Sequence, residues 1–173
     1  DKNVGDPDLI DEIIDMQLKE SMYQEAIVTA DKLIAVAKSP YKKVLYRLRK
    51  GDVYQRAGQV RLAIDTYVEI IDTVGDQSWL EREIFSQLHN VHRKQDTLPD
   101  LAKLYLGLTE KYPKRLGPKY AHVRMLVELQ QYAKAEQVYL TLLKLHPRDK
   151  ETREEFISLL QLAGQHEKAI AEL

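Results

Sequence analysis

The chain contains no cysteine. That excludes disulfide staples and thiolate metal sites, and it leaves the redox compartment unmarked. Neither sign of charge is in excess: 26 Lys and Arg stand against 27 Asp and Glu, for a net charge of −1. A general nucleic-acid binder would carry a basic surplus, so no nucleic-acid partner is expected. Long apolar runs are also missing, none approaching the roughly 18 residues that span a bilayer. No membrane segment or signal peptide is visible, and the compartment stays open between cytoplasmic and periplasmic or secreted. The chain starts at Asp1 without Met, as a processed or excised chain would. No Gly-rich phosphate loop occurs, and no Ser or Asp sits in a nucleophile context. The expectation is a chain that is not an enzyme and uses no cofactor.

What the chain does have is helical periodicity. The strong helix formers Leu, Ala, Glu, Lys and Gln dominate, and most Gly and Pro fall between apolar-periodic stretches. Asp6-Pro7 reads as an N-cap followed by Pro at the first helical position. Leu9, Ile10, Ile13, Ile14, Met16 and Leu18 then keep helical spacing. A second helix follows the turn near Ser21 and ends before Ser39-Pro40, because the residue before Pro avoids the helical region. The same alternation continues through turns at Gly58, Gly75, Asp96, Pro113, Gln130, Pro147 and Gly164. Ten helices result, the tenth cut short at Leu173. No stretch alternates with period two for long enough to suggest a sheet. Ala169 to Leu173 opens an apolar helix without a cap, so the chain reads as a fragment of a longer protein.

One stretch is the template for the others: Gly51 to Tyr67, GDVYQRAGQVRLAIDTY. Small and aromatic residues alternate in it, so that one helix can approach closely where the other supplies bulk. In the second helix of each pair, Ala26, Ala63, Leu101, Ala135 and Ala169 take the same place, at separations of 37, 38, 34 and 34 residues. Four residues on come Ala30, Tyr67, Tyr105, Tyr139 and Leu173. The turn place is Ser21, Gly58, Asp96, Gln130 and Gly164. Ala63 and Ala135 are expected to be buried at close helix crossings.

This pattern resembles the tetratricopeptide repeat family, whose period is 34 residues. Gly51 and Tyr54 match its first-helix Gly and Tyr. Gly58 and Gly164 match its turn Gly, Ala26, Ala63, Ala135 and Ala169 its second-helix Ala, and Pro113 and Pro147 its closing Pro. The third copy departs, with His89 and His92 at the Gly and Tyr places and Leu101 in place of Ala. The first copy has Ile14 and Gln17 there. The resemblance implies an all-α solenoid of stacked antiparallel hairpins winding into a right-handed superhelix. It implies a single domain with repeats at about 7–40, 44–77, 82–115, 116–149 and an incomplete 150–173.

His89 and His92 would share a helix face, one way to present two metal ligands. They also hold packing places, and neither Cys nor a fixed acidic partner accompanies them, so packing is the reading and no metal is expected. Trp79, the one Trp, is placed in the connection before the fifth helix, filling space between repeats or anchoring a partner. The tyrosines at Tyr67, Tyr105 and Tyr139 read as a core ladder.

The resemblance further implies that first helices line a concave groove. Its groove-facing places fall on Arg49, Asp52, Arg56, Asn90, Arg93, Lys94, Tyr120 and Arg124, flanked by acids at Asp11, Asp15, Glu154 and Glu155. Such a groove is basic in the middle and acidic at its ends. The function implied is a protein-interaction scaffold that holds a segment of another protein, an acidic one by the groove's charge. Two alternatives stay open: an assembly module that builds homo-oligomers or larger complexes, and a region regulating an enzyme domain outside this chain.

Overall fold

The computed structural model describes residues 5–74 and 78–172, with the side chain of residue 78 left aside. Gly75 as the stop of the fourth helix, Leu173 as the last member of its place, and residues 1–4, for which the polar sequence suggests fraying, fall outside that range. Ten helices occupy the described residues: α1 (Pro7–Lys19), α2 (Tyr23–Ala35), α3 (Pro40–Arg56), α4 (Val60–Val74), α5 (Ser78–Lys94), α6 (Leu98–Lys111), α7 (Gly117–Glu128), α8 (Tyr132–Leu145), α9 (Lys150–Leu162) and α10 (His166–Ala171). No strand occurs among these residues.

Helix starts follow their caps. The Asp6 carboxylate accepts from the Asp8 N–H at 3.1 Å, and Pro7 opens α1. Ser39 Oγ accepts from the Lys42 N–H at 3.2 Å ahead of Pro40, and the Asp149 carboxylate accepts from the Thr152 N–H at 3.3 Å. Each satisfies a donor that the first helical turn leaves without an intrahelical partner. The second helix stops at Ala35, a little ahead of the Ser39-Pro40 boundary. Trp79 corrects its expected place: it is the second residue of α5, half exposed, with its ring 5.7 Å from that of Tyr41. A helix that starts at Ser78 takes Trp79 into its first turn.

The turn place has one conformation in all five copies. Ser21, Gly58, Asp96, Gln130 and Gly164 all have positive φ, between 55° and 72°. At each, the next residue's N–H reaches back over the last turn, as Gln59 does to Tyr54 at 2.9 Å and Gln131 to Leu126 at 2.8 Å. This is the Schellman arrangement, which satisfies the last carbonyls and turns the chain back on itself. Only Gly enters that region without cost from Cβ. Gly58→Ala is therefore expected to cost about 1 kcal/mol, and Gln130→Gly to gain up to about 1 kcal/mol, less what Gly adds to the freedom of the unfolded chain. Chemical denaturation of the two variants checks both signs.

The chain divides into two compact units, Asp1–Val91 and His92–Leu173. In the first, α1 packs on α2, α2 on α3 and α3 on α4. Ile10, Ile14 and Leu18 of α1 meet Ala26, Ala30 and Leu33 of α2, and Val53 of α3 joins them. In the second, α6 packs on α7, α7 on α8, α8 on α9 and α9 on α10. Val123 and Leu126 meet Ala135, Tyr139 and Leu142, which in turn meet Phe156 and Leu159. Every member of the aligned second-helix place is buried: Ala26, Ala63, Leu101, Ala135 and Ala169. Ala63 and Ala135 are fully enclosed, as their place at a helix crossing demands. Each large apolar side chain buried in these layers contributes roughly 1.5–3 kcal/mol, which no single hairpin could gather alone.

Candidate protein-binding face

The first helices of successive hairpins carry polar side chains that reach one another. In the unit Asp1–Val91, Arg49 on α3 spans back to α1. Its Nε donates to Asp11 at 2.6 Å, Nη2 to Asp15 at 2.6 Å and Nη1 to Asp52 at 3.0 Å. Burial lowers the Arg49 pKa, but the hydrogen bonds and charges of Asp15 and Asp11 outweigh it, so the net shift is upward. Asp52 is shared with Arg56, whose Nε lies 3.2 Å away. Next along the same face, Gln55 Nε2 donates to Gln87 of α5 at 3.3 Å and to the hydroxyl of Tyr67 at 2.6 Å. Tyr67 is enclosed, and burial pushes its hydroxyl pKa up to about 12. Without Gln55, that hydroxyl would lack this donor.

The unit His92–Leu173 repeats the arrangement with different residues. Tyr120 on α7 donates to Asp149 at 2.9 Å and bonds Thr152, tying its ring to the N-cap of α9. Burial raises the Tyr120 pKa. Arg124 Nη2 meets Glu155 of α9 at 3.0 Å, and the other Glu155 oxygen accepts from Tyr139 at 3.2 Å. Arg93 and Lys94, at the end of α5, are exposed and form no ion pair among the described residues.

The eight expected site residues thus divide. Arg49, Asp52 and Arg56 form one ion cluster with two of the acids expected at the groove's end, Asp11 and Asp15. Asn90 is exposed on α5 in the same unit. Tyr120 and Arg124 are each tied to α9, and Arg93 and Lys94 are left to solvent. Three participants had not been singled out for these roles. Lys119 is buried, and its Nζ holds the carbonyls of Pro113 and Arg115 in the α6–α7 connection. Desolvation lowers its pKa. Thr152 and Asp149 form the knot with Tyr120. Asp149 just ahead of the ninth helix was a legible N-cap signal, whereas nothing local marked Lys119.

His92 serves the turn. Its Nδ1 lies 2.9 Å from Thr97 Oγ1 and 3.2 Å from Thr97 O, while Nε2 is enclosed without a partner. His122 is buried as well. Desolvation lowers both pKa values from 6.5, opposed at His92 by Thr97 and Asp100 and assisted at His122 by Lys134. A folded pKa below the unfolded one means that the unfolded chain binds the proton first. Their contribution is complete above about pH 6.5 and falls as pH drops below it. Urea midpoints between pH 7.5 and 5 are expected to fall, and a His92→Asn/His122→Asn variant should lose part of that slope. Among the described residues no group of three or more His, Cys, Asp or Glu is placed to hold a metal ion, and no helix is long and apolar enough to cross a membrane.

No protein-family model and no curated protein matches the sequence. Solved structures do match the fold. A tetratricopeptide repeat protein from Parabacteroides merdae ATCC 43184 superposes with a TM-score of 0.52 at 14% identity, covering 98% of this chain and 64% of that one. YrrB, described as a TPR protein with an unusual peptide-binding site, gives 0.51 at 13% identity, covering 99% and 84%. MamA MSR-1 gives 0.50 at 17% identity, covering 96% and 91%. The chain therefore has an all-α fold of the TPR-like α-solenoid class. Folds of this class generally serve as scaffolds for protein–protein interaction.

Proposed function

We propose that this chain is a non-enzymatic scaffold that holds a segment of a partner protein against its first-helix face. The observation that carries this reading is the polar wall that first helices build within each unit: Arg49 with Asp11 and Asp15, and Gln55 with Gln87, in Asp1–Val91; Tyr120 with Asp149, and Arg124 with Glu155, in His92–Leu173. Side chains already held by neighbouring repeats lose little conformational entropy when a ligand arrives, so the ligand bears most of the ordering cost. The peptide-binding site in the name of YrrB supports the reading by analogy of fold alone.

An acidic segment suits the unit His92–Leu173. Arg93 and Lys94 offer exposed cations there, and Arg124 is shared with a single carboxylate. Arg49 is a weaker anchor, because three carboxylates already engage it. The test is charge reversal, Arg93→Glu with Arg124→Glu, read by the anisotropy of a labelled Glu-rich peptide and by pull-down from lysate at low and moderate salt. The parent should bind in a salt-sensitive manner and the variant at least about tenfold more weakly, a change of roughly 1.4 kcal/mol. A variant that keeps every partner with the same salt sensitivity ends the basic-face proposal.

A further inference from the structure

The first two repeat intervals run to 37 and 38 residues, where the later ones take 34. The extra residues lengthen the first helices. α3 and α5 are 17 residues long, against 13, 12 and 13 for α1, α7 and α9. Tyr41 and Trp79 occupy the added turns, each seventeen residues before the left-handed turn residue of its hairpin, Gly58 and Asp96. Pro113 and Pro147 hold that place in the later copies, ahead of α7 and α9.

The two rings meet at 5.7 Å between centroids, with their planes 55° apart. That contact covers only part of each, for Tyr41 stays 45% exposed and Trp79 46%. A pair that served packing alone would be enclosed, as Tyr67 and Tyr105 are. The Tyr41 hydroxyl and the Trp79 Nε1–H have no hydrogen-bond partner among the described residues. Two tilted aromatic faces with two free donors suit a polyproline II segment. Its pyrrolidine rings pack on the faces, its carbonyls have no partner within the segment, and its stiffness keeps the ordering cost low.

Charge selects among such segments. Among the described residues, the exposed charged side chains within four positions of either ring are Lys38, Lys42, Lys43, Arg82 and Glu83. None of the four cations forms an ion pair there, and Glu83 accepts from Gln87 at 2.8 Å. We propose that the Tyr41–Trp79 pair binds a proline-rich, acid-flanked segment of a partner protein in the polyproline II conformation. A nucleic-acid strand fits less well. The unit Asp1–Val91 carries 16 Asp and Glu against 12 Lys and Arg, so it repels a long polyanion beyond this local cluster. The acidic-segment reading above rests on Arg93, Lys94 and Arg124 of the unit His92–Leu173, so the two proposals fail separately.

Trp79 is the one Trp, so its emission reports on this pair directly. The probe is an unlabelled peptide of eight prolines with two glutamates at each end, titrated into the whole chain up to about 1 mM. The emission should shift saturably. The same peptide with glycine in place of proline keeps the charge and loses the stiffness, and it should bind at least about tenfold more weakly. Tyr41→Ala should weaken the proline peptide by a similar factor. Lys42→Glu with Lys43→Glu should weaken it too and should favour a lysine-flanked version, with no loss in thermal midpoint, since both side chains are exposed. Arg93→Glu with Arg124→Glu should shift as the parent does. An absent shift, an equal shift from the glycine peptide, or indifference to the lysine reversal overturns the proposal. So does a shift produced at equal or lower concentration by a single-stranded oligothymidylate, which would assign the pair to nucleic acid.

Discussion

Gly51→Ala should destabilise the protein, although Ala is the better helix former by roughly 1 kcal/mol. A Cβ on Gly51 would lie 2.3 Å from Cε1 and 2.7 Å from Cζ of Tyr67. Real Cβ atoms essentially never come that close, so a helix or the ring must shift. The ring has nowhere to go, being fully enclosed with its hydroxyl held by Gln55. Overpacking of this kind costs about 1–3 kcal/mol and outweighs the propensity gain. Gly107 supplies the control. It also lies within a helix, α6, yet no heavy atom stands within 4 Å of its ideal Cβ. Gly107→Ala should therefore stabilise by up to about 1 kcal/mol. Thermal midpoints should move in opposite directions, at roughly 2–4 °C per kcal/mol for a chain of this size. Tyr67→Leu in the Gly51→Ala background should restore part of the loss, whereas Tyr67→Phe should not, because the nearest atoms belong to the ring. A Gly51→Ala protein as stable as its parent would refute the close approach.

Arg49→Met should cost about 1–2 kcal/mol, more than a surface ion pair is usually worth. The reason lies in what remains. Asp11, Asp15 and Asp52 converge on one guanidinium that is 19% exposed, and without it three carboxylates face one another. Partial exposure keeps the cost below that of stranding a fully buried charge. Arg49→Lys should recover less than half, since an ammonium has no planar fork to engage three acids at once. Raising the salt to about 1 M, where the Debye length is near 3 Å, should shrink the penalty by screening the repulsion. A stability difference within error, or one indifferent to salt, would show that α1 and α3 are joined by their apolar contacts alone.

Much of the architecture was legible in the chain because its signals are local. Asp6-Pro7 and Ser39-Pro40 announce helix starts through the geometry of two residues. The recurring small place at Ala26, Ala63, Ala135 and Ala169 announces a crossing, since only a small side chain admits a second helix so closely. Aligning Ser21, Asp96 and Gln130 with Gly58 and Gly164 located the turns, and the structure shows that all five residues there are left-handed. Trp79 was misplaced because a helix start shifts by a few residues without a decisive cap, and a Trp reads equally well on either side of the boundary.

The candidate face was legible as positions and not as chemistry. Mapping repeat places marked Arg49 and Arg93 as the same kind of residue, yet one is clamped by three carboxylates and the other stands in solvent. Asp11 and Asp15 were assigned to the end of a groove, apart from Arg49, and are its direct partners.

By itself the sequence determined the all-α class, the positions of the turns and the buried second-helix places. Each depends on periodicity within one helix or on the backbone of a few adjacent residues. Only the tertiary structure decided which cations are neutralised, that Tyr67 seals Gly51, and that His92 holds the turn at Thr97. Those outcomes join residues on different helices or on the two sides of a turn. They turn on how closely stacked helices approach, and a few tenths of an ångström there separates contact from clash.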